Sequence, residues 1–267
     1  MIKLILTNVN LCIRSKMAIG ISILLILLTL IHIPMINELG QREKFEPQLV
    51  DYLLFSMGGV FPDSLLQYLT WVCVVFPIIL FVYHMMNVNS GFDLFVLTRM
   101  KKRSNWWIVK VLALIMTVLL YCVVYFLIHM IIGSMFFSIN ARWSSFFQMF
   151  FSHLELNVGT LLCFMMIFFF IGLTAFALLC QLITSRFRNE TAVYTVFLIS
   201  SVVIGFLAMS GTFTTFVSWT HFPSMLDLVK PDSEMELSAL FTKFIISLSV
   251  MGISIVAGIL GVRRYRF

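Results

Sequence analysis

The residues that could carry chemistry are few and scattered: 5 histidines, 5 cysteines and 12 acids in 267 residues. Cys12, Cys73, Cys122, Cys163 and Cys180 contain no CxxC pair, so no zinc or redox motif is present. Most of them lie inside apolar runs, where a cysteine behaves as a small buried hydrophobe. His32, His84 and His129 fall near the ends of such runs, a placement that favours a structural or interfacial role over a proton relay. His153 with Glu155, or His221 with Asp227, would be the parts of an outer site if the chain were a membrane enzyme, but such pairs arise easily by chance in polar loops. No G-x-x-x-x-G-K-S/T motif is present, so the chain binds no ATP through a P-loop. H-E-x-x-H and G-x-S-x-G are absent too. Acids stay out of the apolar runs, which removes the paired intramembrane carboxylates of a protease or proton-coupled carrier. The reading is of a non-catalytic chain with no metal and no cofactor of its own.

What must position these residues is a membrane bundle. The chain is 61% apolar and only 11% charged, with a mean hydropathy of +1.03. So few charges cannot cover a water-facing surface, and the solvent for most of the chain is lipid. Six apolar runs are each long enough to cross as a helix: about 17–36, 69–88, 108–132, 158–183, 191–211 and 239–260. Their uninterrupted apolar character argues against a barrel, whose strands would alternate. The expected fold is all-α, a single transmembrane domain over 1–267 with six helices. The first run follows Lys3, Arg14 and Lys16, but it continues to Pro34 with no A-x-A site, and it reads as a retained span.

Charge then sets the orientation. With six spans, one side holds 13 basic residues against Asp93 and Glu190, for a net +11. The other side holds 5 basic residues against 10 acids, for a net −5. The positive-inside rule places both termini in the cytoplasm and the chain in the cytoplasmic membrane. The net +6 is therefore an orientation signal and no footprint for nucleic acid.

The connecting segments are unequal. Met1–Lys16 mixes Ile2, Leu4, Ile5, Leu6, Val9 and Leu11 with polar residues, as an amphipathic elbow in the membrane plane would. The first outer loop, 37–68, is broken by Gly58, Gly59 and Pro62, and Ser64 with Gln67 can cap a short helix. The second outer loop, 133–157, is aromatic and suits an interfacial or partly re-entrant segment. The third, 212–238, carries turn-and-cap signals around Pro223 and Pro231, and short interfacial helices lying at the outer surface fit the outer loops better than a folded outer domain. Lys110 and Lys243 are expected to snorkel from span ends. Tyr121, Tyr125 and Tyr194 are expected to pack or hydrogen-bond between helices. Gly172, Gly205, Gly252, Gly258 and Gly261 are expected to permit close helix approach. The inner segment 87–110 is the most informative. Phe92, Phe95 and Val96 share one face of a short helix, followed by Arg99, Lys101, Lys102 and Arg103, with Trp106 and Trp107 at the entry of the third span.

This layout resembles the permease subunit of an ABC-2-type exporter, in the broad group of bacterial peptide, antibiotic and lantibiotic-immunity permeases. The features that carry the resemblance are the amphipathic start, the inner segment GFDLFVLTRMKKRSNWWIVK, the basic turn SRFRNE at 185–190, polar-capped segments before the sixth span, and the tail RRYRF. The resemblance implies two permease subunits, the same or homologous, with cytoplasmic ATPase subunits docked below that hold the ATP and magnesium. It implies that Gly91–Met100, within an inner segment of about 89–103, corresponds to the coupling helix. Phe92, Phe95 and Val96 would then form its apolar contact face, Asp93 and Arg99 its polar contacts to the ATPase, with Arg103 near the start of the third span. The long first outer loop departs from the family pattern.

On that footing the function expected is ATP-driven export of an antimicrobial or amphipathic peptide, or of a lipid-like or other hydrophobic compound, in a bacterial cytoplasmic membrane. A Phe- and Met-rich lining could take such a molecule without unmatched charge. The alternative is a stand-alone immunity protein that binds a toxic peptide without ATP, suggested by the acidic outer side.

Overall fold

The computed structural model describes residues 2–13, 15–57, 65–87, 103–140, 142, 144–145, 157–186, 194–200, 203 and 237–264. It is an all-α, multi-pass helical bundle. The named helices are α1 (Ile2–Cys12), α2 (Ser15–Glu43), α3 (Leu49–Met57), α4 (Leu65–Asn87), α5 (Arg103–Phe136), α6 (Val158–Thr184) and α7 (Leu237–Arg264). Four of them, α2, α5, α6 and α7, are long and apolar enough to cross a membrane, and α4 contributes a shorter apolar stretch, Val72–Met86. Residues 194–200 are also helical and belong to the expected fifth run. The expected boundaries hold closely for α6, while α2 and α5 run on past the apolar runs at both ends.

α5 is the hub and packs against α1, α2, α3, α4, α6 and α7. Its buried stripe of Trp107, Val111, Leu114, Val118, Tyr121, Tyr125 and His129 recurs every three or four residues, the spacing of one helix face. Met116, Leu120, Val123, Leu127 and Ile131 stay exposed on it, as suits a surface wetted by lipid. α1 packs on α4 and α5 with Ile5 and Val9 turned inward and Ile2 and Leu6 outward, so it is an amphipathic helix as expected.

α6 and α7 run parallel. Phe168 meets Phe244 near the start of α7, with ring centroids 5.4 Å apart. Just past the C-terminal end of α6, Arg186 Nη2 donates to the Ala257 carbonyl at 3.2 Å. α4 and α5 are antiparallel: Lys110 reaches Met85, and Tyr121 reaches Val74. The bundle therefore has two chemically distinct ends. Trp107, Lys110, Arg186 and Gly258 mark one of them, and His32 and His129 mark the other.

Two features of the first connecting segment differ from expectation. The helix starts at Leu65, which puts Gln67 at the third helical position that a capping box from Ser64 requires, but it is the long α4 rather than a separate short helix; Ser64 is outside the described residues. Leu49–Met57 forms a helix with all nine residues buried. Its sequence LVDYLLFSM is mostly apolar apart from Asp51 and Ser56, and α2, α5 and α6 pack around it. The chain enters it through a tight stop to α2. Lys44 takes φ 57°, and Phe45 N–H donates back to the Gly40 carbonyl at 2.9 Å, a left-handed helix cap. A side chain at Gly40 would meet the Phe45 carbonyl and Pro47, so glycine is required there.

Asp51 fastens this helix. Its Oδ2 accepts from Gln48 N–H at 2.9 Å, half of a capping box, and its Oδ1 accepts from Ser144 N–H at 3.2 Å. Leu49 N–H also donates to the Ser138 carbonyl at 3.2 Å. Asp51→Ala should lower stability by about 1–3 kcal/mol, because two buried donors lose their acceptor. Burial raises the Asp51 carboxyl above its ordinary range, against the opposing pull of the Gln48 and Ser144 donors. A raised carboxyl binds its proton more tightly in the folded chain than in the unfolded one. Its contribution to stability is thus greatest below the ordinary carboxylate range and declines as pH rises through the raised value. Thermal unfolding in lipid nanodiscs across acidic pH checks both statements, and Asp51→Asn should flatten the acid dependence.

Candidate functional site

Among the described residues, the most elaborate polar site lies at the histidine end, where four helices converge. On α2 the buried positions Leu25, Leu28, Thr29, His32, Ile33 and Ile36 form one face, which turns Thr29 and His32 inward together. α5 presents Tyr125 and His129 one turn apart, α3 presents Tyr52 and Ser56, and α4 presents Thr70. His32 Nδ1 lies 3.4 Å from His129 Nε2, and His32 Nε2 lies 3.2 Å from Thr70 Oγ1. His129 Nδ1 lies 2.9 Å from the Tyr125 carbonyl.

The acceptors fix the tautomers. A carbonyl only accepts, so His129 carries its proton on Nδ1 and offers Nε2 as an acceptor. His32 must then donate from Nδ1, which leaves its Nε2 to accept from the Thr70 hydroxyl. The result is a one-way chain, Thr70 to His32 to His129 to the Tyr125 carbonyl, that ties α4, α2 and α5 together. Thr29 spends its own proton on the Leu25 carbonyl at 2.7 Å, and its oxygen stands 3.5 Å from both ring nitrogens of His129. α3 closes the site. Tyr52 donates to the Thr29 carbonyl at 3.3 Å, and Tyr125 donates to the Ser56 carbonyl at 2.8 Å. Tyr52 stacks on His129 at 5.9 Å between centroids, and Phe55 sets its edge against His32 at 6.1 Å. Among the described residues, no group of three or more histidines, cysteines, aspartates or glutamates could hold a metal ion.

At the tryptophan end, Lys110 is fully buried and its Nζ donates to the Met85 carbonyl at 2.7 Å. This corrects the expectation that Lys110 snorkels outward. It sits close enough to the C-terminal turn of α4 to satisfy a carbonyl there instead, while Trp106 stands 5.8 Å from its ammonium. Trp107 is fully buried, and a side chain at Gly258 would collide with its indole. Gly258 therefore does permit close approach, as expected, whereas Gly252 has no neighbour within 4 Å among the described residues. Gly172 is buried, and Gly205 lies outside the described residues. Tyr121 and Tyr125 make the interhelical hydrogen bonds expected of them. His84 lies against Tyr83, which in turn meets Tyr194 edge-on at 5.1 Å.

Of the expected coupling residues, Phe92, Asp93, Phe95, Val96 and Arg99 lie outside the described residues, and so does the side chain of Arg103, whose backbone opens α5. His153, Glu155, His221, Asp227 and the Lys243 side chain are outside them as well. Sequence reasoning placed His32 and His129 separately and missed their pairing. A partial signal was present: Thr29 precedes His32 by three residues and Tyr125 precedes His129 by four, so each run carries a polar pair on one helix face. Which run faces which is not encoded in that spacing. Comparison of the chain with family models, with curated proteins and with solved structures finds no match to any of them.

Proposed function

We propose that the chain is the transmembrane permease subunit of an ATP-driven exporter of the ABC-2 type, moving an antimicrobial or amphipathic peptide, or another hydrophobic compound, out of the membrane or cytoplasm. The observation that carries this reading is the gathering of basic residues at one end of the bundle. Lys110 and Arg186 lie at the tryptophan end, and α7 runs toward that end to finish at Arg263 and Arg264. Basic flanks at one end match a cytoplasmic face. Six crossings are supported by the parallel run of α6 and α7, since the chain between them has to recross the bundle. The helical residues 194–200 support the same count: Tyr194 lies beside Tyr83 and Phe197 beside Phe176, so they lead back along α6 in the opposite sense.

The mechanism is mechanical. ATP and magnesium sit on partner subunits, and closure of those subunits pushes the segment 89–103. That segment joins α4 to α5, whose facing ends are tied by the Lys110–Met85 bond, so a push moves the two helices as a pair. α5 is 34 residues long, about 50 Å, and touches most of the bundle, which makes it a lever from the cytoplasmic end to the histidine end. A second copy or homologue completes the path for the substrate. Expression alone in a host sensitive to such a peptide should give no protection, and expression with the ATPase partner should restore it. Protection by the chain alone would return the stand-alone immunity reading.

A further inference from the structure

We propose that His32 and His129 form a proton-binding site that holds α3 against α2 and α5 while neutral and releases it on protonation. No ATPase or substrate enters this inference, so it stands or falls apart from the exporter reading.

In the neutral chain three of the four ring nitrogens have assigned roles and His32 Nε2 takes the Thr70 proton. One basic lone pair can be freed without moving a helix, that on His32 Nε2, because the Thr70 hydroxyl can turn and accept instead of donate. A proton arriving there from water makes His32 the cation. Passing the Nδ1 proton across the 3.4 Å contact to His129 Nε2 then leaves His32 neutral with its proton on Nε2, and His129 charged. The site thus takes up one proton and can carry it from α2 to α5.

Among the described residues, none in the closed site compensates that charge. The facing groups are Thr29 from α2, Tyr52 and Phe55 from α3, Thr70 from α4 and Tyr125 from α5, with Phe169 of α6 stacked behind Tyr125 at 5.2 Å. The titratable ones are two phenols. Among the described residues, the Asp51 carboxylate of α3 turns to Gln48 and Ser144 instead. Glu38 of α2 is exposed. A buried cation without a counter-charge is costly, whereas a hydrated imidazolium is not. Protonation therefore favours whichever conformation lets water reach the rings. Among the described elements, α3 covers the rings from water, through Tyr52 and Phe55 on the rings and its two tyrosine–carbonyl bonds to α2 and α5. It is short and follows a tight cap, so it can lift without unwinding a span.

The experiment uses the full chain in lipid nanodiscs with 15N-labelled histidine. At neutral pH two rings should show the uncommon Nδ1–H tautomer, and those two should titrate together as the pH is lowered stepwise. Carbene footprinting, whose chemistry is insensitive to pH, should label Leu49–Met57 several-fold more at the acidic end. The His32→Gln, His129→Gln double variant should lose that response. Thr70→Val, which keeps both rings and guards against a variant that fails to fold, should release α3 at higher pH. Any of three results would overturn the proposal: Nε2–H tautomers on all five histidines, equal labelling of α3 at neutral and acidic pH in the unmodified chain, or stoichiometric zinc uptake that alters both ring signals in place of a proton.

Discussion

Gly258→Ala should unseat the tryptophan end of the bundle. The added methyl group would fall on the indole of Trp107, and that ring is fully buried and cannot swing aside like the end of a flexible side chain. Overpacking of this kind costs about 1–3 kcal/mol, and more where a rigid ring is struck. The cost is felt strongly in a membrane bundle, where packing rather than exclusion of water holds helices together. Trp107 lies one turn before Lys110, so displacing it also strains the Lys110–Met85 bond. The expected result is a large drop in the unfolding temperature in nanodiscs, with partial rescue by adding Trp107→Leu. Gly261→Ala is the control. Its nearest neighbour is the guanidinium of Arg186, which can move, so the loss should be small. Equal losses for the two alanine variants would contradict this account of the α5–α7 contact.

The second large effect is expected at the coupling segment and rests on the proposed function. Burial of one large apolar side chain at a protein contact contributes about 1.5–3 kcal/mol. Phe92→Ser with Phe95→Ser should therefore weaken ATPase docking by several kcal/mol, about a hundredfold or more in affinity. Membrane insertion should be unaffected, since no span depends on that face. Co-purification of the ATPase and substrate-stimulated ATP hydrolysis, at matched expression, are the measurements. Normal values in both would reduce the segment to a basic membrane flank.

Helices α5 and α6 were legible because their signal is local. Long apolar runs with no interior acid, bounded by Trp106 and Trp107 or by Asn157, leave a chain in lipid no other way to satisfy its backbone. The amphipathic character of α1 was legible for a similar reason, in its mixture of apolar and polar residues. α3 was not. Nine residues are too few to signal a span, and their burial depends on distant partners: the Tyr52 ring lies so close to Gly133 that any side chain there would strike it. The histidine pair was half legible. Thr29 with His32, and Tyr125 with His129, mark a polar face on each helix, but only the packing of α2 on α5 brings the faces together. Lys110 misled because a lysine near a span end usually reaches outward, and here a nearer carbonyl on α4 is available. The coupling residues Phe92, Asp93, Phe95, Val96 and Arg99 remain an expectation from sequence, since they lie outside the described residues.

The central claim is that this chain works with an ATPase it does not contain. The most direct measurement is mild purification of the tagged chain from its native membrane, followed by mass spectrometry of what travels with it. The account predicts a stoichiometric P-loop ATPase subunit, retained in repeated preparations and lost in the Phe92→Ser, Phe95→Ser variant. Recovery of the chain alone, from preparations in which other membrane complexes stay intact, would contradict it.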